Sequence, residues 1–145
     1  MKSRYAILAK RIITDGPTNV CSVFDIVEEF QVQLDGNEPE DKIMAIQGDV
    51  SFGVLIEAEA GDTLGKHPAK FYVDTPRGRF LDHTLEIDFQ GLPRSRVEVK
   101  MNVMPYAGEG TYTYNLECQG QIFTWEVLCK TTAPLAKAVP VEKPN

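Results

Sequence analysis

Between Arg96 and Val103 apolar and polar residues alternate without exception. Val97, Val99, Met101 and Val103 leave one side, Arg96, Glu98, Lys100 and Asn102 the other, the signature of a half-buried strand. The following TYTYNLEC run groups Tyr112, Tyr114, Leu116 and Cys118, and QIFTWEVL groups Phe123, Trp125 and Val127. Between these two runs Gln119-Gly120 supplies a glycine where a tight hairpin needs positive φ. A two-residue loop there sets Tyr112 against Val127, Tyr114 against Trp125 and Leu116 against Phe123. A loop one residue longer would turn the apolar side chains out, so the buried face selects the register. The same argument applied to the Pro105–Gly110 connection predicts that Val103 pairs with Tyr112, Met101 with Tyr114 and Val99 with Leu116. Three consecutive antiparallel strands would then form one apolar wall, with Met101, Tyr114 and Trp125 side by side, under a second layer of β-structure.

The rest of the chain carries shorter versions of the same pattern. Tyr5–Thr14 reads as a strand whose imperfect alternation predicts a bulge or burial on both sides, and Asp15-Gly16-Pro17 ends it. Val20–Asp25 resumes as a strand. Residues 26–34 fit a helix (Val23, Ile26, Val27, Phe30, Leu34) or a second strand segment, and the strand is favoured. Val50, Phe52, Val54, Ile56 and Ala58 alternate inward. Ala69, Phe71 and Val73 lead to a type I turn at Thr75-Pro76-Arg77-Gly78. Leu85, Ile87 and Phe89 complete a count of about eight strands, with at most short helical turns. Short strands separated by turn signals predict an all-β, antiparallel two-layer sandwich over residues 1–130. The segment 131–145, rich in proline, alanine and lysine, is expected to be a mobile tail.

A chain of 145 residues can bury a core without staples. No apolar run approaches the length of a membrane helix, and the five-residue apolar stretch before Lys10 is too short for a secretory signal. Cys21, Cys118 and Cys129 lack metal-site spacing and are expected to be free thiols, so a cytoplasmic location is expected. The net charge of −6 is uneven: Asp25 to Asp62 holds eleven acidic residues and one basic, Lys42. That balance, without a basic stripe, argues against nucleic acid, and a solvated face or a docking surface for a basic partner are its two readings.

Candidate chemistry is sparse. His83, next to Asp82 and near Asp88, is a weak candidate base for a hydrolase, and an exposed loop histidine is the plainer reading. His67, before Pro68, is likewise expected in an exposed loop. Asp35–Asp41 lacks the glycine and glutamate positions of an EF-hand. Asp15, Asp74 and Asp82 are weak metal candidates, since loop-end calcium binding would require them to converge. No cofactor is implied. Trp125 is expected in the core, and Ile122 and Leu128 break the polar face of their strand as an interface would.

Four landmarks together resemble a small bacterial family of uncharacterised β-sandwich domains: Asp15-Gly16, Val23-Phe24-Asp25, Asp74-Thr75-Pro76-Arg77-Gly78 and Gly110-Thr111-Tyr112-Thr113-Tyr114. The resemblance implies a sandwich and no activity. Gly110-x-Tyr112 also resembles the entry to strand F of immunoglobulin-like domains, where a tyrosine bonds back across a corner. Tyr114 stands where those domains carry cysteine, so the implied relation is one of topology. The function expected is that of a non-catalytic module binding a protein partner or a second copy; a small-ligand, sugar or calcium module and a His83 hydrolase are the alternatives.

Overall fold

The computed structural model describes residues 1–132. Its nine strands are β1 (Lys2–Thr14), β2 (Cys21–Ile26), β3 (Glu29–Gln33), β4 (Met44–Glu57), β5 (Lys66–Thr75), β6 (Gly78–Asp88), β7 (Arg94–Tyr106), β8 (Gly110–Cys118) and β9 (Gln121–Thr132). They form two packed sheets, ordered β2-β1-β4-β7 and β3-β9-β8-β5-β6. The all-β sandwich expected from the alternation is what the chain adopts. Every pairing is antiparallel except one: β3 runs parallel to β9. The predicted tail lies outside the described residues beyond Thr132, and residues 131 and 132 belong to β9.

The β8–β9 hairpin has the expected register, with Tyr112 opposite Val127, Tyr114 opposite Trp125 and Leu116 opposite Phe123. Its turn residues Gln119 and Gly120 both take left-handed φ, 55° and 73°, the twist that a two-residue hairpin favours. The expected pairing of Arg96–Val103 with this hairpin is overturned. β7 lies in the other sheet and pairs with β4: Val99 opposite Phe52, Val97 opposite Val54, Met101 opposite Val50. Alternation marks which face of a strand is buried and leaves its neighbour open. The inward residues of β4 offered β7 an equally apolar partner, so Met101 meets the core from the sheet opposite Tyr114 and Trp125.

Two devices hold the sheets in register. At the first, β7 crosses to β8 through Ala107–Glu109, and the Tyr112 hydroxyl closes the crossing. It accepts a hydrogen bond from the Ala107 N–H at 2.5 Å and donates to the Gly108 carbonyl at 2.7 Å. Gly110, at φ 141°, packs with the Pro76 ring 3.1 Å from where a Cβ would stand, so a side chain there would be both strained and crowded. At the second, β2 and β3 are one run of chain that changes sheets at Val27 and Glu28. The Val27 N–H donates to the Leu8 carbonyl at 2.8 Å, while its own carbonyl accepts the Trp125 Nε1–H at 2.7 Å. The Leu128 N–H donates to the Glu28 carbonyl and starts the parallel pair. The strand reading of 26–34 therefore holds, with the helical spacing produced by the switch between sheets.

The main core is built from the inward rows of β4 (Val50, Phe52, Val54, Ile56), β5 (Ala69, Phe71, Val73) and β8 (Tyr114, Leu116, Cys118). The Phe52 ring lies 5.7 Å from Phe71 and 6.2 Å from Tyr114 of the opposite sheet, whose own rings are 6.4 Å apart. Each such fully buried aliphatic or Phe side chain contributes roughly 1.5–3 kcal/mol. A smaller cluster of Tyr106, Ala107, Tyr112 and Cys129 fills the end beneath the β7–β8 crossing. β1 has a register irregularity between Ser3 and Tyr5, before the stretch in which a bulge or two-sided burial was expected.

Candidate functional site

The residues singled out for chemistry do not assemble. His83 is exposed on β6, not in a loop, and sits opposite Phe71. Leu81, held at φ 56°, belongs to the irregularity in this pairing, which spans Phe71–Val73 on β5. The Asp82 carboxylate is turned toward Arg79 at 4.0 Å, and the Asp88 carboxylate accepts the Gln90 N–H at 2.9 Å. Neither carboxylate is engaged with the imidazole. Asp74 and Asp82 do approach a common cation, but it is the Arg79 guanidinium, 3.3 Å from Asp74 and stacked 3.7 Å above the Tyr72 ring. Asp15 lies on the β1–β2 turn of the other sheet, bonded to Thr18. No group of three metal-ligating side chains forms among the described residues.

His67 departs from expectation. It is the second residue of β5 and is buried, edge-on to Phe89 with ring centroids 5.7 Å apart. Nε2 bonds the Thr63 carbonyl at 2.8 Å, so it carries the proton, and Nδ1 accepts from the Gln119 amide at 2.8 Å. Both ring nitrogens are thus committed, and the histidine ties the Thr63 loop to the β8–β9 turn. Beside it the Met1 ammonium meets Asp62 at 2.8 Å and Glu59 at 3.0 Å. The hydrogen bond to Asp62 raises the ammonium pKa and lowers that of the carboxylate.

The acidic stretch is less of a surface than its composition suggests. Glu59 and Asp62 hold the N-terminus, Glu57 faces Arg94, Lys2 and Arg4, Glu29 meets Lys130, and Glu38 accepts the Asp35 and Gly36 N–H groups. Much of its charge is spent on internal pairs.

Sheet edges are more informative. Among the described residues four strands have one open side. β6 exposes Arg79, Asp82, His83 and Glu86; β7 exposes Arg94, Lys100 and Asn102; β3 exposes Glu29, Gln31 and Gln33. Polar and charged side chains of this kind discourage pairing with another chain. β2 has little such protection. Phe24 is 48% exposed and Ile26 49%, with Val20 at 58% just before the strand, and Asp25 is its single charge. Ile122 and Leu128, the pair noted in the sequence, are 51% and 40% exposed on β9 but are separated by Thr124 and Glu126. The β2 residues were legible as an apolar strand; what the sequence lacked was the knowledge that this strand lies at an edge.

Among the described residues no helix is long and apolar enough to cross a membrane. No family model, curated protein or solved structure matches the chain.

Proposed function

We propose that the chain is a non-catalytic β-sandwich of immunoglobulin-like topology that assembles with a second copy of itself through the open edge of β2. The observation that carries the assembly is the pair Phe24 and Ile26, half-exposed on the most apolar of the four edges. Two copies of β2 related by a two-fold axis would place Phe24 opposite Phe24, Ser22 opposite Ile26 and Val23 opposite Asp25. No like charges would face each other, and two four-stranded sheets would become one of eight.

The immunoglobulin-like assignment is supported by order and by one side chain. β9-β8-β5-β6 follow one another as strands G, F, C and C′ would, with β4 and β7 paired as B and E. Tyr112 bonds back to Gly108, as a corner tyrosine at the start of strand F does. The β1–β2 hairpin is an addition to that plan, and no disulfide joins the sheets. Three free thiols, two of them buried, support a reducing compartment, which fits the cytoplasm.

Light scattering on the eluting protein tests the proposal. The mass of the wild type should rise toward twice the chain mass with concentration, while Ile26→Lys stays at the single-chain mass with an unchanged melting temperature. A wild type that remains monomeric throughout, or an Ile26→Lys variant that associates as well, would overturn it.

A further inference from the structure

A second feature lies on the outer face of the four-stranded sheet, independent of the β2 edge. Across β1, β4 and β7 the outward side chains form rows, and one row is Tyr5, Leu55 and Arg96. The Arg96 guanidinium is half-buried and held by neutral groups alone. Its Nε–H donates to the Tyr5 hydroxyl at 3.2 Å, and Nη1 donates to Asn19 Oδ1 at 3.0 Å and to the Asn19 carbonyl at 3.5 Å. Asn19 takes left-handed φ, 57°, in the β1–β2 turn, and that conformation accompanies the aim of both its oxygens at the guanidinium. No carboxylate lies within ion-pair distance of Arg96 among the described residues, and its Nη2 donates to no protein acceptor there. The neighbouring Arg94 is by contrast matched to Glu57 at 3.2 Å.

This fixed and unneutralised charge opens on a cavity of about 320 Å³, lined also by Leu55, Leu92 and Ser95. Asp88 shares the wall, but its carboxylate is directed to the Gln90 N–H. Leu92, one of the lining residues, is 60% exposed. A guanidinium with free donors in a fixed plane is a receptor for an oxyanion, and the leucines give it a lipophilic wall. Of the two arginines that line the cavity among the described residues, Arg94 is paired with Glu57 and Arg96 with no carboxylate, which together with the nearby Asp88 suits one anionic group rather than a polyanion.

We infer that this cavity is a binding site for a small organic anion, whose carboxylate or phosphate group pairs with Arg96 while its apolar part lies against Leu55 and Leu92. Dimerisation through β2 is not required for it.

Hexanoate and inorganic phosphate, titrated separately into the full chain and followed by the arginine Nε–H and backbone amide resonances, test the inference. Saturable shifts at Arg96, Asn19 and 92–95 with hexanoate are expected, weakened by salt. Phosphate binding at the same place as well would show that the oxyanion alone suffices; hexanoate alone would show that the apolar wall is needed. Arg96→Met should abolish the shifts. Should that variant unfold, Leu92→Asp, on an exposed turn, should weaken hexanoate at least about tenfold. No saturable shift with either probe, or equal binding after these substitutions, would reduce Arg96 to a tether for the β1–β2 turn and overturn the site.

Discussion

Tyr112 and Tyr114 stand two residues apart on β8, both fully buried, yet removing their hydroxyls should have opposite effects. In Tyr112→Phe the Ala107 N–H loses its acceptor, and Ala107 is 1% exposed, so water cannot replace it. Stranding a buried donor costs about 1–3 kcal/mol. Gly108, half-buried, can hydrate its carbonyl, which keeps the total near 2 kcal/mol. The Tyr114 hydroxyl has no hydrogen-bond partner among the described residues. In Tyr114→Phe an unsatisfied polar group leaves the core, so stability should be unchanged or rise by up to about 1 kcal/mol. For a chain of this size 2 kcal/mol corresponds to roughly 6–8 °C in melting temperature. Urea unfolding of the two variants should show equal slopes and separated midpoints. Midpoints that coincide, or a Tyr114 variant less stable than the Tyr112 variant, would refute the assigned hydrogen bonds.

Trp125→Phe should cost about 1–3 kcal/mol, because the carbonyl of buried Val27 is left without its donor; amide exchange should accelerate first at Val27 and Leu128, and uniform acceleration would count against a local switch. The N-terminal pair should give a pH signature. The Met1 ammonium, raised above its ordinary 8.0, stabilises fully below that value and loses the effect as pH rises through its folded value. Asp62, lowered from 3.8, stabilises above that value and loses the effect as pH falls through its folded one. Acetylating Met1 should therefore lower the melting temperature most between those two pH values; a difference that does not vary with pH would exclude the ion pair.

What the chain reveals unaided divides along physical lines. The β8–β9 register was legible because a two-residue turn and a one-sided apolar pattern admit a single solution. The partner of β7 was not, because its inward face matches β4 and β8 equally well and alternation alone names no neighbour. The tyrosine could be suspected from Gly110-x-Tyr112, whereas the Trp125 bond to Val27 joins residues 98 apart and leaves no local trace. His67 read as a loop residue because Pro68 and nearby polar residues suggest one, while Phe89 and Gln119, which bury and bond it, are far along the chain. The candidate carboxylates failed for a related reason. Of the three that a metal would need to converge, Asp15 lies on the other sheet, and Asp74 and Asp82 share the Arg79 guanidinium between them in sequence.

Amide hydrogen exchange measured at low and high protein concentration bears most directly on the proposed assembly. Slowing confined to residues 20–26 as concentration rises is the predicted result, since pairing along β2 protects that edge and no other. Slowing at β3, β6 or β7 instead, or none while the mass doubles, would contradict it.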